Sequence, residues 1–307
     1  MFVGHATFAF GAVALLALQF GRSRERALAL GVFAGLFAAV PDVDMAYAVV
    51  GLVGADPTSP TAAASSFWGA STVVHRAVTH SLVVAVPAAA AFALAPTHRR
   101  LAAVALLGLV AVVGTTAGVL GVFVVALFAV AGWLVAVGGH HWGVRGPALF
   151  GVALAGLASH PFGDLLTGEP PRLLYPLDVV VFDGRLTLSA DPTLHLLGAF
   201  GVELVAIWVG VVAALALADH RLTDHVNGRA AVGAAYALAV LVVPPPTLDV
   251  SYHFVFSVVA VGLVAAVPVP RGRSIPRPTP FNALVTGLTA VTLAGTAYAV
   301  AYVGGLA

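Results

Sequence analysis

Residues 101–138 read LAAVALLGLVAVVGTTAGVLGVFVVALFAVAGWLVAVG, without a single charged side chain. As one helix that run would be about 57 Å long, and a soluble domain has no core of that length to hide it in. A bilayer does, but about 20 apolar residues suffice to cross it, so the run is nearly two crossings. Gly114 and Gly118, flanking Thr115-Thr116-Ala117, mark the place to divide it, into spans 101–117 and 119–138.

The rest of the chain repeats this character. Of 307 residues 60% are apolar and 9% charged, and the mean hydropathy is +1.02, whereas soluble domains are about 25% charged. Apolar windows over 2–20, 27–41, 81–95, 101–117, 119–138, 148–166, 194–218, 230–247, 252–268 and 281–303 predict an all-α, polytopic transmembrane bundle of about ten spans. No basic residue precedes the first run, which begins at Met1-Phe2-Val3-Gly4-His5, so the reading is a retained span and not a cleaved signal. All fourteen basic residues are arginine. Arg22, Arg24, Arg26, Arg99, Arg100, Arg145, Arg221, Arg229, Arg271, Arg273 and Arg277 follow odd-numbered spans, and only Arg76, Arg172 and Arg185 fall on the other side. Under the positive-inside rule this puts the N-terminus outside a cell membrane crossed many times.

Polar residues that can hold a metal cluster in four places: His5; Pro41-Asp42-Val43-Asp44; His75-Arg76-Ala77-Val78-Thr79-His80-Ser81; and His160-Pro161-Phe162-Gly163-Asp164. The topology brings all of them toward the extracytoplasmic side. From Pro147 to His160 is roughly 20 Å of helix, short of the ~30 Å hydrocarbon, so His160 is recessed in the outer leaflet. Ionisable groups at that depth are costly and mark functional sites. His160 and Asp164, four apart, stack on one helix face and suit two ligands of one ion, or a buried His–Asp hydrogen bond. His75 and His80, five apart, point about 140° away from each other on a regular helix. The chain has no cysteine, so any ion is held by imidazole and carboxylate, a set that suits Zn²⁺ or, with many carboxylates, Mn²⁺. His5, Asp42, Asp44, His75, His80, His160 and Asp164 supply enough ligands for one ion or two.

The order and local wording of these motifs resemble the YdjM-like family of membrane-bound metal-dependent hydrolases. The resemblance runs over about residues 1–193. It rests on an early His, Pro-Asp-x-Asp closing the second helix, His-Arg-x-x-Thr-His-Ser, then His-x-x-x-Asp-x-x-Thr through Thr167 and Leu173-Leu174-Tyr175-Pro176-Leu177. It implies that the seven residues above form a ligand and catalytic set.

The function expected is hydrolysis at a site sunk in the outer leaflet, of a phosphoester in a lipid or lipid-linked substrate, by metal-activated water. That would place the protein in lipid metabolism. Arg76 would clamp the anion, and Thr79 and Ser81 would orient ligands or water. Lipid amide hydrolysis is the nearer alternative, and a metal-ion or small-solute transporter the more distant one. The partners expected are lipid and membrane, with no nucleic acid.

The remaining features divide the chain into a metal-site module at 1–193 and accessory spans at 194–307. Asp219, His220, Asp224 and His225, like His140 and His141, read as solvated loop residues. Asp191 before Pro192 reads as a helix cap, His195 as a reserve ligand, and Glu203 as a mid-span partner, proton carrier or structural carboxyl. Asp183-Gly184 between β-rich runs predicts a hairpin over 179–188, placed as a lid. Loop 55–74 reads as flexible, with Phe67 and Trp68 at the interface.

Overall fold

A computed structural model describes residues 2–53, 55–56, 58–71, 76, 78–268 and 278–306. His75, Arg271, Arg273 and Arg277 lie outside the described residues. The chain divides into two compact units, Met1–Leu186 and Thr187–Ala307.

In the first unit the α-helices are α1 (Phe2–Gln19), α2 (Arg24–Ala39), α3 (Pro60–Ser71), α4 (Leu82–Leu94), α5 (Arg99–His141) and α6 (Gly146–Gly163). A 3-10 segment, Pro41–Leu52, continues α2 after a bend of 42°. Short 3-10 turns at Val78–His80 and Asp164–Leu166 precede α4 and follow α6. The long apolar run does fold in two. Gly118 leaves the helix at φ 66°, ψ −163°, a left-handed backbone open to glycine at little steric cost. A methyl group built on Gly121 would stand 3.1 Å from Val113 Cγ1, and one on Gly114 3.0 Å from Val122 Cγ2. Eight residues apart on a continuous helix would mean about 12 Å, so the arms 99–117 and 119–141 double back on each other.

The core of this unit is aromatic. Phe92 on α4 lies between Phe37 on α2 and Phe128 on α5, with ring centroids 5.8 and 5.7 Å away. Helices α2 and α6 meet at backbone distance: a methyl group at Gly156 would come within 2.5 Å of the Ala34 carbonyl oxygen and 2.7 Å of the Ala38 nitrogen. Small residues that let backbones touch are how helices pack without a hydrophobic drive between them. One turn beyond Gly156 the same face of α6 carries His160, so this contact sets the depth of the site.

The second unit holds α7 (Pro192–Ala218), a 3-10 segment at Gly228–Leu241, α8 (Tyr252–Val261) extended by 3-10 backbone to Ala266, and α9 (Pro280–Val303). They pack around Phe254 and Tyr298, both fully buried. As its sequence predicts, Asp191 caps α7: its Oδ1 accepts from the Thr193 and Leu194 amides at 2.8 and 3.0 Å. The Leu194 amide hydrogen bond, with those from Tyr302 and Thr193, holds that carboxyl below its usual range.

Three expectations need correction. All ten apolar windows overlap helix, but among the described residues four helices, or five with the bent pair, are long and apolar enough to cross a membrane. Helix α4, with 13 residues, is about 20 Å long; apolarity persists past the point where the backbone stops being one helix. The hairpin is absent: among the described residues there is no strand. The amides a ladder would need are engaged elsewhere, Leu186 N–H on the Leu165 carbonyl at 2.7 Å and Leu188 N–H on His195 Nδ1 at 3.2 Å. Loop 55–74 contains the helix α3, with the Phe67 and Trp68 rings packed edge to face.

Candidate metal centre

The site forms where α2 bends, α6 ends and the Val78–His80 turn enters α4. His160 is completely buried, and its Nδ1 donates to the Ala38 carbonyl at 2.6 Å. A carbonyl only accepts, so this nitrogen carries the proton, and in the neutral ring Nε2 presents a lone pair. His80, 1% exposed, is fixed in the same way from the other side. Thr79 Oγ1 donates to Asp44 Oδ2 at 3.0 Å and so accepts a hydrogen bond from His80 Nδ1 at 2.9 Å. Its Nε2 is thereby left as an acceptor too.

The two Nε2 atoms face each other at 3.0 Å. Asp42 Oδ1 lies 3.3 Å from His160 Nε2 and 4.0 Å from His80 Nε2. Asp164 Oδ2 lies 3.1 Å from His80 Nε2 and 3.6 Å from His160 Nε2. This oxygen has no hydrogen-bond partner among the described residues. Four atoms able to offer lone pairs thus lie close together, an arrangement that calls for a metal cation or a bound proton among them. Zinc–ligand bonds of about 2.05 Å imply ligand–ligand separations near 3.3 Å, close to those among His80, His160 and Asp164, at 3.0, 3.1 and 3.6 Å. The donor set fits a divalent ion. Among the described residues two groups have ligand atoms within 4.8 Å of one another: His80, His160 and Asp164, and His5, Asp42 and His160.

Asp164 is the hub. Its Oδ1 accepts from His5 Nε2 and from Arg76 Nη2, both at 3.3 Å, leaving Oδ2 for the centre. The His5 ring lies 4.0 Å from that of His160. Gly163 makes the room, since a methyl group there would be 2.4 Å from His5 Cε1. Arg76, expected to clamp an anion, is turned toward Asp164 and its neighbours. Besides Asp164 Oδ1, its guanidinium donates to the Asp164 carbonyl at 3.3 Å, the Glu169 carbonyl at 3.0 Å and Thr167 Oγ1 at 3.0 Å. It therefore holds Asp164, a candidate ligand, in place.

Other expected site residues sit one step out. Asp44, fully buried, backs His80 through Thr79, with its Oδ2 3.7 Å from His80 Nδ1. Ser81 caps α4, accepting from the Val84 amide at 3.2 Å and donating to the Tyr175 carbonyl at 2.6 Å. Ser81→Ala should cost about 1 to 2 kcal/mol of stability and leave bound metal unchanged, readable by melting and metal analysis together. The Ala38 carbonyl carries no sequence signal, while Thr167 had one in the His-x-x-x-Asp-x-x-Thr motif. Asp191, His195 and Glu203 belong to the second unit. So do His220 and His225, whose Nδ1 and Nε2 approach to 3.1 Å without a third ligand atom joining them among the described residues.

Apolar crossing helices around a buried His and Asp cluster define a multi-pass membrane protein with a potential divalent-metal site. The chain belongs to the YdjM inner membrane protein family, which it matches over residues 1–243. No curated protein and no solved structure matches it.

Proposed function

We propose that the protein is a membrane-embedded, metal-dependent hydrolase that cleaves a phosphoester of a lipid or lipid-linked substrate at a site recessed below the extracytoplasmic face. The observation that carries this reading is the convergence of His80 Nε2, His160 Nε2, Asp42 Oδ1 and Asp164 Oδ2, with their outer atoms tied to Ala38, Thr79, Asp44, His5 and Arg76. Such outer ties orient metal ligands and raise their basicity. When bound, a divalent ion, with zinc best suited and manganese next, supplies Lewis acidity and brings the pKa of water to about 7. His80, His160, Asp42 and Asp164 would hold it; the His5, Asp42 and His160 group shares His160 with them and offers an overlapping position for the ion.

The recess favours a lipid-borne substrate. His160 lies six residues, about 9 Å, below the end of the helix it shares with Leu166. The arginine asymmetry supports an outside N-terminus, and the short helices α1 and α4 of the first unit would border this recess where the bilayer is thinned. Protein reconstituted in liposomes should release phosphate from a lipid phosphoester, stop with chelator and resume with added zinc or manganese. Ion flux dependent on His80 and Asp164, with no lipid hydrolysed, would replace this reading with a transporter.

A further inference from the structure

The chain between Thr167 and Leu186 leaves the end of α6 and returns to it. At its start Thr167 Oγ1 accepts a hydrogen bond from Arg76 Nη2 at 3.0 Å, and at its end the Leu186 amide donates to the Leu165 carbonyl at 2.7 Å. Both ends therefore hang beside Asp164. Halfway along, Ser81 Oγ on the Tyr175 carbonyl and the Leu82 amide on the Leu173 carbonyl, at 2.6 and 2.8 Å, fasten the inner part to the start of α4.

Past Tyr175 the character changes. Leu177, Val179, Val180, Val181 and Leu186 are 58, 54, 71, 49 and 42% exposed, on backbone that is neither helix nor strand. Consecutive exposed apolar side chains are unfavourable in water and point to an interaction surface. Hydrocarbon is excluded as well, because irregular backbone there would leave its amides unpaired. The interfacial layer satisfies both demands: side chains reach into the acyl boundary while backbone, Asp178, Asp183 and Arg185 stay at headgroup level. The position agrees. Gly146–Leu166 is 21 residues long, a full crossing, so the chain leaves the hydrocarbon about where this loop begins.

We propose that residues 177–186 form a membrane-inserting lip, with Leu177, Val179, Val180 and Val181 anchored in the lipid interface beside the metal centre, and that the lip presents the headgroup of a bilayer lipid to Asp164 and its neighbours. The insertion stands on the loop alone; the presentation step rests on the hydrolase reading.

The chain lacks cysteine, so Val180→Cys and, as an aqueous control, Thr223→Cys can each carry one environment-sensitive fluorophore in phosphatidylcholine vesicles containing a shallow nitroxide-lipid quencher. The label at 180 should be blue-shifted and quenched several-fold more than that at 223; equal, water-like signals at both would overturn the lip. The double variant Val180→Asp with Val181→Asp should lose at least tenfold in kcat/KM on a phosphoester lipid in vesicles, yet keep its rate on a water-soluble short-chain phosphoester and its metal content. Equal loss on both substrates would overturn presentation. A quenched label in a protein that hydrolyses neither substrate would uphold insertion while refuting the hydrolase, so the two failures are distinct.

Discussion

Asp164→Asn should lower the affinity for a divalent ion by at least about a hundredfold and abolish the chelator-sensitive hydrolysis proposed above. The estimate starts from the 10- to 100-fold that loss of an outer partner alone costs a metal site. Here the change strikes a ligand that also joins three neighbours: one oxygen faces His80 and His160, the other accepts from His5 and Arg76. The amide keeps the volume but loses the charge, leaving the largely buried Arg76 guanidinium without its carboxylate. Removing one partner of such a pair costs about 3 to 5 kcal/mol, so the melting temperature should fall as well. Metal titration of the folded variant separates the two effects. An unchanged affinity would mean that Asp164 serves only to pair with Arg76.

Arg76→Lys should weaken metal binding about 10- to 100-fold although arginine is not a ligand. Arg76 reaches Asp164 Oδ1, two carbonyls and Thr167 Oγ1 with two nitrogens, and an ammonium has neither the planar fork nor the span to do so. Asp164 would then be free to turn away from His80. The residue also sits at φ 69°, a left-handed backbone unusual for a side-chain-bearing residue, held by these contacts. An arginine that gripped substrate phosphate instead would, on substitution, raise KM and leave metal affinity alone. Measuring both quantities on the same preparation decides between the two roles.

The parts of this architecture that depend on local spacing were legible in the sequence. The four-residue interval from His160 to Asp164 puts both on one helix face, and their ligand atoms do converge. The glycines at 114 and 118 located the fold in the long apolar run, and Asp191 before Pro192 located a cap. What could not be read depends on partners distant in sequence. Asp42 and Asp44 look equivalent in Pro-Asp-x-Asp, yet the backbone turn sends one to His80 Nε2 and the other to His80 Nδ1, so one is a candidate ligand and the other a support. Arg76 looks like an isolated outward cation until the 164–169 segment closes around it. Asp183-Gly184 is a sound turn signal, but a hairpin also needs free amides on both arms, and those of Leu186 and Leu188 bond elsewhere. The span count was overestimated because hydropathy registers apolarity and not the length of unbroken helix.

Metal analysis of the purified protein, alongside His160→Ala and His225→Ala, tests the central claim most directly. Wild type and His225→Ala should each retain one or two equivalents of zinc or manganese after dialysis, and His160→Ala should retain several-fold less while remaining folded. Equal retention in all three, or none in wild type after loading, would contradict a metal centre built on His80, His160, Asp42 and Asp164.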